Sequence, residues 1–135
     1  MSINEIESSE TASRWLAVNG VALVLTGLFV GLAVGAAPYP RLMLTVHIQF
    51  VLNGMASIVA ALLLKSRLAL PGPKGRAIVV IGHVLAWFVC LSEVAVGISG
   101  ANKTLPIAAA QAGATGAAPW LETVIWSATS FQRFF

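Results

Sequence analysis

Three stretches of about 23 residues, 15–37, 42–64 and 77–99, hold a single formal charge between them, and they constrain this chain more than anything else in it. About 20 consecutive apolar residues, wound at 1.5 Å per residue, cross ~30 Å of hydrocarbon. In lipid each backbone N–H and C=O must be satisfied within the segment, which makes each stretch a helix. A soluble fold would lack polar surface. The chain is 58% hydrophobic and 10% charged, with a mean hydropathy of +0.87, whereas an ordinary soluble domain is about 25% charged. The sequence predicts an all-α, four-helix transmembrane bundle. It forms one integral domain over residues 1–135, with spans at 15–37, 42–64 and 77–99 and a fourth helix at 120–135.

The connections follow from turn chemistry. Residues 1–14 are polar and carry Glu5, Glu7 and Glu10, which suits a frayed or surface-lying tail and not the basic leader of a cleavable signal peptide. Pro38-Tyr39-Pro40-Arg41 predicts a tight turn. Lys65 to Arg76 is a basic loop around Pro71-Gly72-Pro73. In 100–118, Pro106, Gly113, Gly116 and Pro119 favour a loop packed on the bundle mouth. The fourth helix, ~24 Å long at 1.5 Å per residue, should end near the interface on Phe131, Phe134 and Phe135.

Basic residues set orientation. Arg14, Lys65, Arg67, Lys74, Arg76 and Arg133 fall on one side, and only Arg41 and Lys103 on the other. The positive-inside rule then places both termini in the cytoplasm of a multi-pass inner-membrane protein. That bias accounts for the pI near 9.6 with no nucleic-acid partner. Cys90, the one cysteine, excludes an intramolecular disulfide and a paired-cysteine zinc site.

Polar side chains at membrane depth are costly and mark functional sites. The second span carries His47 and Asn53, the third His83, Cys90 and Glu93. Rise per residue places His47 ~8 Å and Glu93 ~6 Å below the outer face, with Asn53, Trp87 and Cys90 in the layer beneath. His47 and His83 differ by ~12 Å in depth, which disfavours a bis-histidine haem and an electron-transfer subunit. The expectation is a polar pocket in the outer half of the bundle. Asn53 and Glu93 would act on substrate there, Glu93 as acid–base or as a dipole, with Trp87 and Cys90 as its wall. A lone imidazole suits a single axial ligand better than zinc, which takes three or four protein ligands. Gly54, seven residues on from His47 and on the same face, leaves room for a helix backbone or for the edge of a flat ligand. A proton-coupled exporter using Glu93 is the reading from a different class.

The run Pro40-Arg41, His47, Leu52-Asn53-Gly54-Met55 resembles the second-helix signature of hydroxylaminobenzene mutases and the related styrene oxide isomerases, small membrane isomerases of four helices. The likeness covers roughly residues 20–100 and is specific in the second span. It implies a homotrimer with ferric haem b held between subunits, His47 as iron ligand and Asn53 beside a small aromatic substrate. Arg41 would pair with a haem propionate and Gly54 would border the cofactor. A tyrosine of the epoxide isomerases falls near Glu93 here. That departure favours a mutase, which turns arylhydroxylamines into 2-aminophenols, over the alternative epoxide isomerase, which gives an aldehyde.

Overall fold

The computed structural model describes residues 3–66 and 72–130. Its helices are α1 (Ile3–Ala33), α2 (Pro40–Lys65), α3 (Pro73–Ser99), α4 (Pro106–Gln111) and α5 (Pro119–Ser130), with a 3₁₀ turn at Val34–Ala36 closing α1. Three segments are long and apolar enough to cross a membrane: Glu7–Ala36, Pro40–Lys65 and Pro73–Ser99. The expected fourth span is represented by the 12 residues of α5. Phe131, Phe134 and Phe135, like Arg67, Pro71 and Arg133, lie outside the described residues.

Four of these helices begin on proline, and this moves several expected boundaries. At the first helical position proline's missing N–H costs nothing and its fixed φ is already helical. Pro40 and Arg41 therefore open α2 instead of forming a turn, and Lys74 and Arg76 belong to α3 instead of the basic loop. The same effect corrects the loop expected over 100–118. Pro106 opens a helix whose alanines favour it, and Gly113 and Gly116, at φ 68° and 103°, follow its end. The tail is also corrected. α1 is helical from Ile3, and the exposed carboxylate of Glu7 lies toward its start, the end where the helix dipole suits a negative charge.

α1 and α2 pack antiparallel through small residues. Ser13 Oγ donates to the Ala61 carbonyl at 2.9 Å. A Cβ on Gly20 would lie 2.7 Å from the Gly54 carbonyl oxygen, and one on Gly54 2.7 Å from that of Gly20. Backbones approach this closely in lipid only where side chains are absent. α3 lies antiparallel to α2: Met43 meets Gly97, and Phe50 meets Trp87 edge-on at 5.9 Å and 73°. Leu23, Met43, Val46, Phe50 and Cys90 form the central core. Large side chains such as Phe29 and Leu32 remain 71% and 84% exposed on the outside, the pattern of a helix solvated by lipid. At the α4–α5 end, Leu42, Val96, Ala101, Ala109 and Ile125 make a second core that seats the short helices.

Candidate functional site

His47 is half-buried on the α1 side of α2. Its Nδ1 lies 2.7 Å from the Gly27 carbonyl oxygen. A carbonyl only accepts, so Nδ1 is the donor in this contact, and Nε2 takes no part in it. Metal-ligating histidines commonly donate their second N–H to a carbonyl or carboxylate in this way. The donor set therefore fits a single axial ligand to a haem iron.

The other polar residues gather in the α2–α3 seam. Asn53 Nδ2 donates to the Gln49 carbonyl at 2.9 Å and to Cys90 Sγ at 3.8 Å. Glu93, one turn beyond Cys90, is 7% exposed, and its Oε2 makes no hydrogen bond to any described residue. Because Met43 meets Gly97 above and Phe50 meets Trp87 below, Glu93 is level with His47, as the depth argument required. The single pocket expected around all of them is nevertheless divided. His47 turns its Nδ1 edge to α1, while Asn53 and Cys90 meet across α2 and α3. α2 presents the two groups on different faces because residues 47 and 53 are six apart, about 120° round the helix.

Gly54 is buried against α1, so of its two expected occupants the helix backbone is the one present, and a cofactor edge has no room at that Cβ within the protomer. Arg41 is exposed in the first turn of α2. His83 donates from Nδ1 to the Val79 carbonyl at 2.8 Å, a local helix contact well away from His47.

Two residues escaped the sequence reading. Asn19, 8% exposed, accepts from the Trp87 indole N–H at 2.7 Å and donates to the His83 carbonyl at 3.4 Å and Ser57 Oγ at 3.5 Å. It joins all three long helices. The rule that singled out Asn53 would have found it: an amide inside an apolar span. Replacing Asn19 with Leu should cost about 1 kcal/mol of stability and change Trp87 emission, measured by thermal denaturation and fluorescence in detergent. Glu122, 4% exposed, accepts backbone N–H bonds from Asn102 (2.9 Å), Lys103 (3.1 Å) and Ala117 (3.0 Å). Its sequence neighbours carry no signal of that role, since the donors come from two loops.

Compared with curated proteins and with solved structures, the chain matches none. Residues 12–131 match the family described as styrene oxide isomerase, which takes in most of α1, all of α2 and α3, the polar seam and the α4–α5 end. With helices that suit a membrane and nearly its whole length matched, the chain belongs to the styrene oxide isomerase family.

Proposed function

We propose that this membrane isomerase is a mutase for arylhydroxylamines of the hydroxylaminobenzene type, giving 2-aminophenols by intramolecular hydroxyl transfer. The observation that carries the reading is Glu93, a buried carboxyl with one oxygen that no described residue engages. In this reaction the N–O bond breaks and an ortho C–O bond forms. The ortho hydrogen leaves as a proton and the nitrogen gains one, so composition and oxidation state are unchanged. That proton must be carried, and the buried carboxyl with its unengaged oxygen supports Glu93 as the carrier. An epoxide-to-aldehyde rearrangement moves hydrogen directly between adjacent carbons and needs no such carrier. The family match supports that reaction as the second reading.

The resemblance brings ferric haem b, and the residues fit it. His47 would hold the iron through Nε2, and Arg41, exposed at the start of α2, would meet a propionate. When bound, the haem supplies Lewis acidity toward the oxygen of the substrate. The protein residues do the rest. Asn53 orients the N–OH group through its amide. Trp87, held at its indole N–H by Asn19, walls the aromatic ring, with Cys90 behind it. Apolar neighbours exclude water, so that the oxygen returns to the ring before solvent attacks. The division of His47 and Asn53–Glu93 between two seams supports a homotrimer in which neighbouring protomers complete each site. The charge bias supports both termini on the cytoplasmic side, with lipid around the assembly.

The test is a side-by-side assay of detergent-purified protein on phenylhydroxylamine and styrene oxide, with Glu93→Gln as the variant. We expect 2-aminophenol from the wild type and a rate lower by about 10²–10⁴-fold in the variant. Aldehyde from the epoxide with no 2-aminophenol, or a variant at wild-type rate across pH, would overturn the mutase reading.

A further inference from the structure

We propose that Gly31 is the positioning residue for His47, because its missing side chain is what opens the Gly27 carbonyl to the imidazole. The inference rests on the reading of His47 as an iron ligand and adds a residue of α1 to it.

A carbonyl inside a helix accepts from the N–H four residues on, and the side chain of that fourth residue stands beside it. For Gly27 the fourth residue is Gly31. A Cβ there would lie 2.7 Å from His47 Nδ1, 2.9 Å from Cε1 and 3.3 Å from Cγ. All three atoms belong to the edge of the ring that faces α1, and contacts this short do not survive. Alanine would therefore push the imidazole away from the carbonyl it reaches at 2.7 Å. The carbonyl keeps a second lone pair for His47 while serving the helix, so the hydrogen bond depends on access.

Two consequences follow for His47. The bond to Gly27 selects the tautomer with the proton on Nδ1, and it makes Nε2 the more basic donor. It also turns the Nε2 edge away from α1. Gly31 does all this without touching iron or substrate. Gly20 supplies the matched control, because it lies in the same seam and a Cβ there would come just as close, 2.7 Å from the Gly54 carbonyl oxygen. It is 11 residues from Gly31, ~16 Å along α1.

The experiment compares wild type, Gly31→Ala and Gly20→Ala in detergent by two readouts: ¹⁵N-histidine NMR of the haem-free protein and titration with haemin. We expect His47 in the wild type to show one tautomer, protonated at Nδ1. Gly31→Ala should show mixed tautomers, a shifted Soret band and haem affinity at least about 10-fold weaker. Gly20→Ala should lose thermal stability yet keep the wild-type tautomer and affinity. Wild-type His47 protonated at Nε2 would overturn the proposal without any variant. So would unchanged tautomer and affinity in Gly31→Ala, or equal changes in Gly20→Ala, which would assign the effect to helix spacing in general. A wild type that takes up no haem would overturn the functional reading instead, and the NMR comparison would still decide the role of Gly31.

Discussion

On the proposed haem reading, replacing His47 with Ala should remove the Soret band of the purified protein and its isomerase activity together. The substitution takes away Nε2, the nitrogen left free once Nδ1 is committed to Gly27, and His83 is no substitute because it sits on α3 beside Asn19, well away from His47. The fold should survive the change. His47 is half-buried, the Gly27 carbonyl retains its helical N–H, and the lost hydrogen bond is worth about 1 kcal/mol. Loss of colour in a folded, helical variant therefore reports on ligation and not on collapse. Absorption spectra with turnover and circular dichroism check the three quantities in one preparation. A haem-free His47→Ala protein that still isomerises would sink the mechanism, and a colourless wild type would move a proton-coupled role for Glu93 to the front.

The largest stability effect should come from Glu122. Its carboxylate holds three backbone N–H groups from the α3–α4 and α4–α5 connections. Glu122→Ala would remove the acceptor of those donors, which belong to half-buried Asn102 and Ala117 and exposed Lys103, at about 1–3 kcal/mol for each one that water does not reach. We expect α4 and its connections to detach from the Leu42–Val96 core, with faster proteolysis in 100–118 than in the long helices. Glu122→Gln should cost less, since the amide keeps one accepting oxygen.

The same site fixes a pH dependence. Burial pushes the Glu122 carboxyl up, but the amides of Ala117, Asn102 and Lys103, with the Lys103 charge, outweigh it and hold the group below the usual carboxylate range. A depressed folded pKa stabilises fully above the unfolded value, near ~4.3 for glutamate. That contribution disappears as pH falls through the folded value. Denaturation of wild type between pH 7 and pH 3 should show this loss, and Glu122→Gln should show a flatter profile. Parallel profiles would remove Glu122 as the cause.

The long helices were legible because span length and apolarity are local properties, and lipid leaves a strand or an open loop no way to satisfy its backbone. His47, Asn53 and Glu93 stood out for the same reason, as polar groups in segments with no water. The proline-led starts of α2, α3, α4 and α5 were misjudged because proline breaks a helix in its interior and begins one at its first position. Local sequence does not say which position a proline holds until the neighbouring helix is placed.

The chain's own residues, taken in order, determined that it has three helices long and apolar enough to cross a membrane, roughly where they run, and at what level along them the polar side chains sit. Those facts depend on composition and on rise per residue. The tertiary structure alone decided which seam each polar group enters. His47 reaches a carbonyl 20 residues away on α1 because Gly31 leaves that path open, and Glu122 finds its donors in two loops. Both depend on the rotation and approach of packed helices, which are set by pairs of surfaces and are not encoded in either segment read by itself.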